Sequence, residues 1–562
     1  MINTHSVILT LLLILLPAIP LFSLEYYVSP IGNDQNDGSI SHPVRTITHG
    51  LSLAQSGDTV RVTEGSYSES VVIEHGGNAI QGPITLLASP SNPVFIDGSN
   101  ANSGIGIILK TSYFVIDGIK LRNWHDRAIS ISLKSSNFTL KNGEIMNCSY
   151  GIALDGGNHN FLIDHFNIHK FSNLIDGNGI DMTSQNGESI ENGTLSYIIV
   201  NGTDDDTTNV DNIDGIALGH RTGVYSSFSD VRNIHLFHCE VSNVGDGFDI
   251  SGVNNILEAC VAHGSQFNGN YKLWGNSVTL INCIGYAAGT NVELDRYPHN
   301  TQDETPPPHV SLYNCTFYGG RENVIGILYD SCSLKMYNCI IAGKGEQGMP
   351  CMHANSTDYH KIFYEGDYNI FNWADNESLY RDDSLDVFMN DFPAWQTMTG
   401  QDKHSMIVAD VNSLFVDTSL TQLNLDLKIG SPAINRGSSI QGKTPIIDFN
   451  GKARNDGIID IGAYEFSGIN SVQEQNLASN TFHCVPTITS SEFVVHFILS
   501  REEQICITIV NILGNIIYKT QEILIHGEYN KKISTTNFSS GSYLVTVDSP
   551  TERNTQIINV VR

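Results

Sequence analysis

Positive charge is scarce in this sequence. The 562 residues carry 30 Lys and Arg against 59 Asp and Glu, a formal charge of −29. Phosphate backbones are bound through basic patches, so the balance argues against nucleic acid as a partner. An acidic polysaccharide would also need a local Lys/Arg patch or a bridging cation. Long helical periodicity is almost absent, and no apolar run beyond the N-terminus is long enough to cross a bilayer. At the N-terminus, Ile8 to Phe22 is apolar and precedes the small Ser23. Residues 1–23 therefore read as a signal peptide, although no Lys or Arg precedes the apolar run.

Ten cysteines in an exported chain would ordinarily point to disulfides. Cys239, Cys260, Cys283, Cys315 and Cys339 instead recur at intervals of 21, 23, 32 and 24 residues. Each follows an apolar residue three positions earlier: Leu236, Leu257, Leu280, Leu312 and Met336. Asn282, Asn314 and Asn338 immediately precede three of them. This is one slot repeated in successive coils, not a metal spacing, and inward thiols act there as small hydrophobes.

What the chain has in quantity is turn residues, 50 Gly among them, between short apolar segments. Phe114 to Ile116, Phe138 to Leu140, Phe161 to Ile163, Ile198 to Val200, Val278 to Leu280 and Val310 to Leu312 follow at coil-length spacing. A single coil cannot bury its apolar residues alone. The repeat predicts an all-β chain built on a right-handed parallel β-helix over residues 24–412. A β-propeller needs longer repeats, roughly 40–50 residues. Ile47, Leu51 and Ala54 fall on one face of a short helix that would cover the open end of the solenoid.

The remaining segments are less regular. Asp204 to Asp214 lacks the Gly and Glu positions of an EF-hand and reads as a solvated acidic loop. Residues 344–412 read as irregular, aromatic-rich loops flanking a groove. Ser431-Pro432-Ala433-Ile434 and Asp460-Ile461-Gly462-Ala463-Tyr464-Glu465 resemble the terminal module of many bacterial surface β-helix proteins, which places such a module at 413–466. A polar linker, 467–479, leads to alternating strands over 480–562, expected to form a small β-sandwich. There, Ser540-Gly541-Ser542-Tyr543-Leu544-Val545 and the Arg-ended final strand resemble the C-terminal sorting domain of the type IX secretion system. That resemblance implies contact with the secretion machinery and a secreted or outer-surface location.

Three consecutive coils carry polar residues where a strand would stay bland: IDGIALG (213–219), GDGFDIS (245–251) and NGNYKLW (268–274). Ile216, Phe248 and Tyr271 share one slot, and Leu218, Ile250 and Leu273 another. Side chains alternate along a strand, so Ala217, Asp249 and Lys272 must face the other way. Glu293 falls in the same column on the next coil, and Asp181 on an earlier one. Asp214 and Asp246 stack three residues before Ala217 and Asp249. Two readings stay open from spacing alone. In one, three carboxylates converge on a hard cation such as Ca²⁺ and Lys272 faces whatever the cation holds. That suits β-elimination on a uronate polymer, with a lysine whose pKa is lowered as the base. In the other, the column is a ladder of alternating charges on an exposed sheet, worth under about 1 kcal/mol.

Over residues 26–345 the chain resembles pectate lyases of polysaccharide lyase family nine. The family's DGFA-like turn is matched by Asp214-Gly215-Ile216-Ala217. Its DDGWD motif is matched by Gly245-Asp246-Gly247-Phe248-Asp249, and its NGFKLGG-like segment by Gly269-Asn270-Tyr271-Lys272-Leu273-Trp274-Gly275. The resemblance implies a Ca²⁺ cofactor held by Asp214, Asp246 and Asp249, with Lys272 as base. Gly245 stands where the family has an Asp, so one ligand is missing, with water, Asp211 or Asp181 as substitutes. Arg221 and Arg296, with His220, are candidates for contacting sugar acids. The expected function is a secreted, monomeric, calcium-dependent lyase of uronic-acid polymers. The alternatives are a non-catalytic surface β-helix that binds glycans or mediates adhesion, and a hydrolase using the Asp cluster.

Overall fold

The computed structural model of the protein describes residues 23–90, 92–100, 104–170, 177–184, 188–202, 213–219, 231–266, 269–295, 307–328, 332–343, 351–354, 363–373, 378–382, 387–440, 444–454 and 458–466. In the C-terminal region it describes 483–485, 488–489, 492–499, 503–511, 515–524, 527–539, 541–548 and 553–560. The apolar leader 8–22 and the linker 467–479 lie outside the described residues.

Alternation along short segments decides the architecture. Every second residue of a strand is apolar and turns inward, and stacked coils merge these into one core from Val28 to Trp395. Each fully buried Ile or Leu contributes roughly 1.5–3 kcal/mol, more than any isolated coil could retain. Two sheets wrap the core. Among the described residues one has 24 strands, paired from coil to coil; the other has 13 and is parallel except for its last pair. Five strands of the second concern the site: β1 (Ile180–Thr183), β2 (Asp214–Leu218), β3 (Asp246–Ile250), β4 (Gly269–Leu273) and β5 (Thr290–Leu294), bonded in that order.

Helix α1 (Ile47–Leu53) covers the first coils. The Thr46 hydroxyl caps it by accepting from the His49 N–H at 3.2 Å, and Ile47 and Leu51 are buried. The cysteines Cys239, Cys260, Cys283, Cys315 and Cys339 are buried in the core, and none of them is in a disulfide. Asn282, Asn314 and Asn338 sit at bends with φ of 53°, 52° and 55°. That left-handed region is one Asn tolerates. Their amides hold the segment that follows the coils: Asn282 Nδ2 donates to the Ile447 carbonyl at 2.8 Å and Asn338 Nδ2 to Ser438 at 2.9 Å. Arg454, fully buried, answers by donating to Asn282 Oδ1 at 3.0 Å and Glu465 Oε2 at 2.7 Å.

Residues 344–412 are more regular than their composition predicts. Met352–Ala354, Phe363–Asp367, Ile370–Asn372 and Tyr380–Asp382 continue the two sheets, and Phe392–Thr399 is a helix. These strands are only three to five residues long, too short to leave a pattern. The aromatic residues do not flank a groove throughout: Phe371 and Trp395 turn inward and close the far end of the core. Beyond the linker, a three-stranded and a five-stranded sheet, antiparallel except for one short pair, enclose a second core that includes Phe493, Ile507, Ile533 and Val545.

Candidate active site

The outward column forms with the register that alternation demands. Ile216 pairs with Phe248, Phe248 with Tyr271 and Tyr271 with Val292, all inward and fully buried. Asp181, Ala217, Asp249, Lys272 and Glu293 therefore line up across β1 to β5 on the outer face. Asp214 is the direct partner of Asp246. Strands lie about 4.8 Å apart.

Local chemistry fixes these strands. A Cβ on Gly247 would come within 2.3 Å of the Asn270 carbonyl oxygen, so the residue after Asp246 must be glycine for β3 and β4 to approach. The Asp214 N–H donates to Asn178 Oδ1 at 3.0 Å. Asn270, fully buried, donates to the Tyr286 carbonyl and to Asn291 Oδ1, both at 2.9 Å. The Tyr271 hydroxyl lies 2.9 and 2.8 Å from the carbonyl oxygens of Cys260 and Ile284, and its ring stacks on Phe248 at 5.2 Å. The two residues before Lys272 are thus anchored in the core.

The outer face is not an exposed charge ladder. Asp214, Asp246 and Asp249 are 6%, 3% and 5% exposed. One carboxylate oxygen from each lies within 4.8 Å of the other two. Lys272 Nζ donates to Asp246 Oδ2 at 3.0 Å and to Asp249 Oδ2 at 3.3 Å, and the Trp274 indole N–H donates to Asp249 Oδ1. One ammonium thus faces three buried carboxylates, and buried charge that is not balanced is costly. Burial alone would lower the Lys272 pKa, but the charges of Asp249, Asp246 and Asp214 outweigh it and hold the ammonium well above its ordinary range. The lowered pKa expected of a base is therefore not supplied by these side chains alone. Burial, then Asp295 and Asp246, push Glu293 up to about 8 against the opposing pull of Lys272.

Asp181 does not join the cluster: Asn178 Nδ2 and Thr183 Oγ1 donate to its two oxygens at 3.3 and 2.9 Å. These short-range donors hold the carboxylate at β1, one coil away. Asp211, His220, Arg221 and Arg296, and Asp204 to Asn212 of the acidic loop, lie outside the described residues. Two contributors escaped sequence reasoning. Trp274 was matched only as part of the lysine segment, and its bond to Asp249 is visible only in three dimensions. Glu293 was placed in the column, but nothing in its neighbours signalled that it would be buried.

Residues 26–295 match a family described as the Pel9A-like, right handed beta helix region, and residues 486–560 match the secretion system C-terminal sorting domain. The chain is a right-handed parallel β-helix protein resembling the family-nine pectate lyases. A protein named pectate lyase PEL9 from Emericella nidulans is 26% identical over 282 residues, covering 49% of this chain and 60% of that one. The uncharacterized protein YwoF of Bacillus subtilis is 34% identical over 104 residues, 18% of this chain and 20% of its own length. The chain thus spans less than two thirds of each of these relatives. The crystal structure of pectate lyase Pel9A aligns with 79% of this chain and 97% of its own, at 15% identity and a TM-score of 0.44. The C-terminal sorting domain marks the protein for export, as a secreted or cell-surface protein.

Proposed function

We propose that the protein is a calcium-dependent polysaccharide lyase that cleaves uronic-acid polymers by β-elimination, with Lys272 as the base. The observation that carries this reading is the lysine bonded to two members of a buried carboxylate triad on the outward face of the sheet. The donor set fits Ca²⁺: all-oxygen ligands at 2.3–2.6 Å from one ion stand up to about 5 Å apart, as these do. Asp214, Asp246 and Asp249 would hold the ion, with water in place of the ligand missing at Gly245. When bound, the ion would supply the charge that receives a sugar carboxylate and acidifies the adjacent C5 hydrogen.

The chain's own residues do the rest. A divalent ion would offset two of the triad's three negative charges and so weaken what holds Lys272 protonated, while burial goes on favouring the neutral amine. The amine then takes the C5 proton, the C4–C5 double bond forms, and the glycosidic oxygen leaves C4. Tyr271 and Asn270 keep the strand fixed, so Lys272 stays over the reacting carbon. An ion held by the triad would also answer the charge problem of an acidic protein holding a polyanion. Mass spectrometry of digests of polygalacturonate, rhamnogalacturonan and alginate tests the reading. Fragments lacking one water relative to hydrolysis products support elimination. Intact polymer that is nonetheless retained on the protein would instead make this a glycan-binding β-helix.

A further inference from the structure

Glu293 is a carboxyl group with no structural task. It is 6% exposed, and its Oε1 has no hydrogen-bond partner. Val292 and Leu294 turn into the core on either side, so Glu293 points outward, one coil beyond Lys272. The next strand, β6 (Asn323–Ile327), sets Gly326 beside it. Glycine leaves a notch there, and a Cβ at Gly326 would meet Asn323 Oδ1 at 3.2 Å. That oxygen is also buried without a partner. Two buried oxygens without partners, on adjacent coils and next to a notch, are open to the polar groups of a ligand.

Elimination has two proton demands, and Lys272 meets one. The departing glycosidic oxygen also needs a proton, because an alkoxide is a poor leaving group. Resting on the lyase reading above, we infer that Glu293 is the general acid, that the polymer runs along the solenoid axis, and that the leaving sugar lies over Gly326 with a hydroxyl on Asn323. The uronate to be eliminated then sits over the Asp triad and Lys272. Coils repeat about every 4.8 Å, so base and acid stand at neighbouring points of one C5–C4–O unit.

The step balances. Lys272 takes the C5 hydrogen as a proton, and the C–H electron pair becomes the C4–C5 double bond. The C4–O pair leaves with the oxygen, which takes the proton of the Glu293 carboxyl. Lys272 ends as ammonium and Glu293 as carboxylate, and return of one proton between these column neighbours resets both. Burial, with Asp295 just past the end of its strand and Asp246 and Asp249 on β3, favours the protonated acid, while Lys272 opposes it.

The test uses the full chain and Glu293→Gln with calcium. One substrate is polygalacturonate; the other is a galacturonate carrying 4-nitrophenolate at C4, which leaves without a proton. On polygalacturonate, Glu293→Gln should lose about 100-fold or more in kcat with KM little changed. On the nitrophenolate substrate its kcat should stay near that of the wild type. Equal losses on both substrates would make Glu293 a structural residue, and no loss on either would remove it from the reaction; both overturn the inference. A wild type that forms no unsaturated product from either substrate would overturn the lyase reading itself. Calorimetric calcium binding by the variant, matching wild type, controls for folding.

Discussion

The ammonium of Lys272 lies 3.0 Å from Asp246 Oδ2 and 3.3 Å from Asp249 Oδ2, so the base is bonded to the carboxylates that would hold the cation. An ion entering the triad must displace it. Lys272→Met is therefore expected to bind calcium more tightly than wild type in calorimetric titrations. Equal or weaker binding would mean that ammonium and ion do not compete.

Asp249 accepts from Lys272 and from the Trp274 indole and has its other neighbours in the triad. An ion that binds only the folded chain raises its stability by mass action. Calcium should raise the Tm of wild type, and Asp249→Asn should lose most of that rise. A variant that still responds fully to calcium would place the ion elsewhere.

Glu293 gives a pH signature to the calcium-free chain. Its folded pKa is about 8, raised first by burial, against an ordinary 4.5. Between these values the folded state holds more protons than the unfolded one, so stability falls as pH rises and levels off above the folded pKa. Glu293→Gln removes that contribution and should exceed wild type in stability above about pH 8. Urea unfolding in chelator, near pH 5 and again near pH 9, measures the gap; curves that stay parallel would contradict it.

Tyr271→Phe removes a buried hydroxyl from between two carbonyls. Leaving buried acceptors unpaired costs about 1–3 kcal/mol. The urea midpoint should drop accordingly. An unchanged midpoint would mean that the hydroxyl adds nothing to the anchoring by ring stacking and by Asn270.

Much of this site was legible because its determinants are local and periodic. Phe248 and Ile250, or Tyr271 and Leu273, fix which way Asp249 and Lys272 face, and coil spacing fixes the pairing of Asp214 with Asp246. The cysteine slot told the same story, since one position repeated in each coil can be read without a fold. Burial was not legible: whether the column lay open or covered depends on what surrounds it. That is why the hold of the buried carboxylates on the Lys272 ammonium went unread, and why Glu293 passed unnoticed as an orphan. The strands between 344 and 412 were missed because three residues cannot establish a period. Asp181 showed the right column but not that Asn178 and Thr183 would claim its oxygens.

The most direct test follows the ultraviolet absorbance of the conjugated double bond as the purified chain acts on polygalacturonate and other uronates, with calcium or with chelator. Absorbance should rise in wild type with calcium, stay flat in chelator, and stay flat in Lys272→Ala even with calcium. Wild-type absorbance that persists in Lys272→Ala would contradict the lysine base. No absorbance from any uronate would contradict the lyase.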